Sequence, residues 1–223
     1  EFSKLSMALT MPAALYHRLF HPSQTVVLPP LGPLADLDRL ADELRAANPG
    51  DAYFVHVLLP HSPYALNEDC SLRKLADWKD QWNGPKRERV IGYLRQLTCL
   101  NGKLEAVFDA AGRNAIVILQ GDHGYRIADI EPSAETLGAF SERDLIAGHS
   151  TLFAIRAPGI APGYDRRALP GWEILRQFAM SDFRTVSVSL APDFVPSIML
   201  NDGDWKPVKR LPLPTGWPVP ATH

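Results

Sequence analysis

Asp122 and His123 stand between two glycines, in Gly121-Asp122-His123-Gly124, directly after a short β-prone run. A carboxylate and an imidazole on such a turn can converge on a metal ion, because glycine lets the backbone swing away from a sheet. The mixed oxygen and nitrogen donors favour zinc or manganese. Calcium, which prefers oxygen throughout, is the poorer fit. The competing reading of this pair is a turn in which the Asp122 carboxylate caps the following backbone and His123 packs. His61, in Leu59-Pro60-His61-Ser62-Pro63-Tyr64, and His149, in Ala147-Gly148-His149-Ser150-Thr151, also border β-prone runs. Read blandly, His61 is a turn histidine held by prolines and His149 a surface residue before a strand. Brought to one sheet edge, the three histidines and Asp122 would bind a metal and a tetrahedral anion, whose oxygens need cationic or N–H partners. His56, inside the first β-prone run, reads as a core histidine with its polar atoms satisfied.

The elements that must position these residues follow from apolar periodicity. Residues 34–47 place Leu37, Leu40, Ala41 and Leu44 on one helical face, and Asn48-Pro49-Gly50 ends that helix. Residues 52–59, Ala-Tyr-Phe-Val-His-Val-Leu-Leu, form a continuous β-prone run of the kind buried on both faces of a parallel sheet. Residues 86–112 repeat apolar positions at Val90, Leu94, Leu97, Leu104, Phe108 and Ala111, and read as the longest helix, with its rhythm interrupted at Asn101. Residues 115–120 and 151–156 read as further strands, 172–180 as a helix and 183–190 as strand-like. Strand, long helix, strand is a right-handed crossover unit, which would carry Pro60-His61 and Asp122-His123 to the same carboxyl edge of parallel strands. The polar stretch from Tyr125 to Ser150 is long for a connection and reads as an active-site flap or lid.

The expected fold is therefore α/β, a largely parallel central sheet flanked by helices. Residues 1–33 form an irregular proline-containing lead-in, 34–205 the domain, and 206–223 a proline-rich extended tail. With 223 residues and 46% hydrophobic content, the chain can bury a core as one domain. Lys and Arg total 23 against 25 Asp and Glu, a net charge of -2, which leaves no basic field for nucleic acid or an anionic membrane. No run reaches the roughly 18–20 apolar residues of a membrane helix. Cys70 and Cys99 lack metal-type spacing and are either buried thiols or one disulfide. The opening Glu1-Phe2-Ser3, without Met, suggests a processed or excised chain.

Phe54-Val-His-Val-Leu-Leu-Pro-His61-Ser-Pro-Tyr64, the helix containing Cys99-Leu-Asn-Gly-Lys-Leu104, then Ile116-Val-Ile-Leu-Gln-Gly-Asp-His-Gly124 and Gly148-His149 resemble, in order and spacing, the sulfatase-like branch of the alkaline phosphatase superfamily. The segment Asp193-Phe-Val-Pro196-Ser-Ile198 is also similar to a late segment of that family, and the likeness spans roughly residues 50–200. The resemblance implies chemistry on phosphate or sulfate esters, with Asp122 and His123 as metal ligands and His61 and His149 in contact with the transferred group or a second metal. In that family a metal-activated Thr, Ser or modified Cys attacks the ester, and the covalent intermediate passes to water or an acceptor.

The family's nucleophile and first acidic ligands lie upstream of the histidine segment, and no such arrangement precedes His61 here. Cys70-Ser71-Leu72-Arg73 has neither the proline nor the order of the sulfatase Cys-x-Pro-x-Arg signature. The expectation is the carboxy-terminal part of a hydrolase or transferase, inactive without its upstream half, with half of the metal site. Relatives in the phosphoethanolamine-transferase branch carry amino-terminal membrane helices, which implies a periplasmic or other extracytoplasmic domain joined to the membrane only through an upstream segment. The alternative is a catalytically silent binding or interaction domain of a membrane protein on the same scaffold.

Overall fold

The computed structural model describes residues 31–82, 84–130, 136–165, 167–186, 188–191, 193–195, 197–201 and 206–212. Most of the lead-in expected over 1–33, and the tail beyond residue 212, lie outside them.

Helix α1 (Leu31–Arg45) begins slightly ahead of the expected residue 34. It buries Leu34, Leu37 and Ala41, a spacing of three and four that puts one stripe inward. The chain turns at Gly50, whose φ of +97° suits a residue without Cβ. Helix α2 (Lys86–Ala111) runs unbroken through Asn101. α1 and α2 share the main core of Leu34, Leu37, Ala41, Leu59, Leu66, Cys99, Leu100 and Val107. Each large apolar side chain sealed there contributes on the order of 1.5–3 kcal/mol. A disulfide between Cys70 and Cys99 fastens the loop that precedes α2 to this core.

The largely parallel central sheet is not what forms. Strands β1 (Val117–Gln120) and β2 (Phe153–Arg156) pair antiparallel, Val117 opposite Arg156 and Gln120 opposite Phe153. The second sheet among the described residues is also an antiparallel pair, β3 (Ser197–Asn201) with β4 (Pro207–Pro212), so the start of the expected proline-rich tail is a strand. The run 52–59 joins no ladder, and Tyr53, Phe54, Val55, His56 and Leu58 are exposed. His56 is thus a surface residue and not a core one. The physical reason is that an apolar β-prone run states that a strand is favourable, not which strand completes it or in which direction. The chain leaving β1 folds back on itself and re-enters as β2. That return closes an antiparallel pair without the crossover a parallel pair requires.

The described residues of the 183–190 stretch likewise form no strand. Helix α4 (Gly171–Met180) ends in a turn with Asp182 and Phe183 at positive φ. There the Ser181 hydroxyl takes the Arg184 and Thr185 amides. Within the expected flap, Glu142–His149 forms helix α3, capped by Ser141, whose hydroxyl accepts from the Asp144 amide. Among the described residues, no helix is long and apolar enough to cross a membrane.

Candidate functional site

The excursion between β1 and β2 carries Asp122 and His123 on its outgoing arm and His149 on its returning arm. Two backbone bonds clamp its base: the Gly121 amide donates to the Leu152 carbonyl at 3.0 Å, and the Gly124 amide to the Gly148 carbonyl at 3.1 Å. The glycines make this approach feasible. A Cβ on Gly121 would stand 2.4 Å from the Thr151 hydroxyl, and one on Gly124 1.9 Å from the Ala147 carbonyl oxygen. The Asp122-His123 turn and the His149 helix end are therefore in direct contact, although the parallel sheet expected to bring them together is absent.

At the turn, Asp122 Oδ1 accepts from the His123 amide at 2.9 Å, the backbone-capping role that competes with metal binding. The other oxygen, Oδ2, faces His123 Nε2 at 3.8 Å. That separation is shorter than two zinc–ligand bonds of ~2.1 Å laid end to end. Among the described residues, no three His, Cys, Asp or Glu side chains group closely enough to hold a metal ion. Asp122 and His123 thus stand as a pair of donors with no third beside them among the described residues.

The three histidines share one orientation. His61 Nδ1 lies 2.7 Å from the Ser62 carbonyl, His123 Nδ1 2.6 Å from the Gly124 carbonyl, and His149 Nδ1 2.8 Å from the Leu145 carbonyl. A carbonyl oxygen only accepts, so each bond places the proton on Nδ1 and leaves the Nε2 lone pair available in the neutral ring. That form serves as a metal ligand directly, whereas binding an anionic oxygen through Nε2 requires the ring to gain a proton.

Helix α2 hangs these segments on one face. Lys86, Arg89, Tyr93 and Gln96 follow one another at steps of three and four. Lys86 bonds Asp144 of α3 at 2.8 Å, and this bond, with that from Ser141, holds the Asp144 carboxyl below its usual range. The buried Arg89 guanidinium donates to the Gln81, Gly84 and Ala128 carbonyls and to Asp129. Tyr93 stacks between Tyr64 and Tyr125, with ring centroids 5.9 and 5.6 Å away. Burial pushes the Tyr64 and Tyr93 phenols up, so both stay neutral. Gln96 reaches the His61 loop: its Nε2 donates to the His61 carbonyl at 2.8 Å, and its Oε1 takes the Ala65 and Leu66 amides. Nothing in the apolar pattern points to these four residues. The available signal was a run of polar side chains at helical spacing inside a long helix.

No family model, curated protein or solved structure matches the chain.

Cys70 and Cys99 are joined to each other, which removes Cys70 as a thiol nucleophile. What remains is a surface turn with two metal-type donors, a second histidine, His149, next to the Gly148 carbonyl that the turn's Gly124 amide bonds, and a third element, the His61 loop, tied to the same helix face. Such an arrangement presents one carboxylate and three imidazoles, and neither cysteine of the chain is a free thiol.

Proposed function

We propose that this chain is the carboxy-terminal part of a metal-dependent hydrolase or transferase acting on phosphate or sulfate esters, with phosphoryl groups the first choice. The observation that carries the reading is the bond from the Gly124 amide to the Gly148 carbonyl, which holds the Asp122-His123 turn against the end of the helix that bears His149. In this reading Asp122 and His123 ligate zinc or manganese, and His61 and His149 contact the transferred group. The metal, when bound, neutralises charge on the ester oxygens. The chain's own residues bind and orient the ester, and turnover awaits an upstream half that supplies the nucleophile and remaining ligands. The Cys70–Cys99 disulfide supports an extracytoplasmic, periplasmic-type setting, since disulfides persist where thiols are not kept reduced.

Calorimetric titration with zinc and with manganese tests the metal role. Asp122→Ala is expected to weaken binding at least ten-fold, because it removes the negative charge of the pair. Equal binding by both proteins would sink it. The second reading, a catalytically silent binding domain, is favoured by the two-donor character of the turn. A chain whose histidine resonances respond to neither zinc nor inorganic phosphate would support that second reading instead.

A further inference from the structure

We propose that Gln96 is a positioning residue for His61, fixing where that imidazole can meet an anionic ligand. The inference rests on the assignment of His61 to the transferred group. Gln96 has no exposed surface, yet none of its polar atoms is idle. Its side-chain oxygen accepts from two successive amides, Ala65 at 3.0 Å and Leu66 at 3.3 Å, while its nitrogen donates to the His61 carbonyl at 2.8 Å. One amide group therefore spans both ends of the His61–Leu66 loop. A purely apolar residue would fill the space and leave two N–H groups and a carbonyl without partners, each costly when shut away from water.

The arrangement singles out His61. The His61 side chain is exposed and makes one bond, to the neighbouring Ser62 carbonyl, which restrains the ring relative to its own backbone and nothing else. Leu59, two residues earlier, is buried in the core shared with α2, and Gln96 is what bonds the His61 carbonyl itself to that helix. Tyr64, one residue before the accepted amides, is buried against Gly92 and Tyr93 of the same helix. Its packing anchors the far end of the loop and Leu59 the segment before it, while the peptide at His61 itself is set by the glutamine bond. Glutamine fits because it donates and accepts at once; a carboxylate in its place would only accept.

The test uses the full chain labelled with 13C and 15N, following the ring signals of His61 and His149. In the unmodified protein His61 is expected to hold one shift distinct from free histidine, and added inorganic phosphate to move it. Gln96→Leu should release the ring toward the averaged shift and weaken the phosphate response of His61 at least ten-fold, with His149 unaffected. Gln96→Glu keeps the acceptor for Ala65 and Leu66 but donates to the His61 carbonyl only when protonated. In that variant the difference between its His61 shift and that of the parent at the same pH should vanish as pH falls through one titration absent from the parent. A purely structural role would not produce that recovery. An unmoved His61 ring in Gln96→Leu, or equal disturbance of His61 and His149, would overturn the proposal. If phosphate moves nothing in the parent while Gln96→Leu still frees the ring, the ester-binding reading fails and the positioning role stands.

Discussion

Gly124 lies so close to Ala147 that a methyl group added to it would stand 1.9 Å from the Ala147 carbonyl oxygen. The same methyl would stand 2.3 Å from the Ser150 oxygen, so neither arm of the excursion can yield without moving backbone. Gly124→Ala is therefore expected to push the Asp122-His123 turn away from α3 and cost about 1–3 kcal/mol, the range of overpacked sites. Gly138→Ala, where nothing lies within 4 Å, is the matched control. Urea unfolding midpoints of the two variants should separate clearly. Coincident midpoints would mean that the clamp at the base of the excursion does not hold in solution.

This clamp also shows what was legible beforehand. The Gly-Asp-His-Gly turn, α1, α2, β1, β2 and α4 all stand out from composition and periodicity. Pairing does not, because β-prone runs such as Val117–Gln120 and 52–59 look alike whether or not a neighbouring strand completes them. The inward face of α2 is not legible in its apolar repeat, for a different reason. Val90, Leu94 and Leu97 suggest the buried stripe, yet Leu94 is 51% exposed while Arg89 and Gln96 are sealed. Arginine and glutamine can be buried when their donors and acceptors find partners, and two of those partners, the Ala128 and His61 carbonyls, lie 39 and 35 residues away in sequence. The antiparallel return from β1 to β2 rests in turn on two glycine contacts that no periodicity encodes.

Arg89 gives a prediction about the same helix face. Its guanidinium, 2% exposed, meets three carbonyls and the Asp129 carboxylate, joining α2 to the segment just after the Asp-His turn. Arg89→Lys keeps the charge but not the planar fork, and a single ammonium cannot reach both Gly84 and Ala128. The expected loss is about 1–3 kcal/mol for each buried carbonyl left without a donor. Hydrogen exchange at Ile127 and Ala128, both buried, should accelerate before the α1–α2 core opens. Unchanged protection there would remove Arg89 from the positioning face.

The disulfide makes a separate claim on the loop between Tyr64 and α2. Cys70 and Cys99 are 29 residues apart, and closing a loop of that size restricts the unfolded chain by roughly 3–4 kcal/mol. The Cys70→Ser, Cys99→Ser double variant should therefore melt several degrees lower than the parent. Treatment of the parent with dithiothreitol should reproduce the shift, and the double variant should not respond to it. A parent insensitive to full reduction, confirmed by thiol labelling, would contradict the stabilising role.

Acid sensitivity follows from Glu173 in α4. Hydrogen bonds from Arg176 and Gln177 bring its carboxyl down from 4.5 to about 2. Because the folded value lies below the unfolded one, the folded state holds its proton less tightly. The resulting stabilisation is complete above the ordinary carboxylate range and fades as pH falls through the window from 4.5 to about 2. Glu173→Gln removes that titration, so the acid limb of its stability curve should take up roughly one proton fewer across the window. Near neutral pH the variant should be the less stable of the two, since Arg176 then loses its carboxylate partner. Guanidinium unfolding measured from pH 7 down to pH 2 should show the two curves converging toward the acid end. Parallel curves across that range would mean that the Glu173–Arg176 pair, three residues apart within α4, contributes nothing to stability.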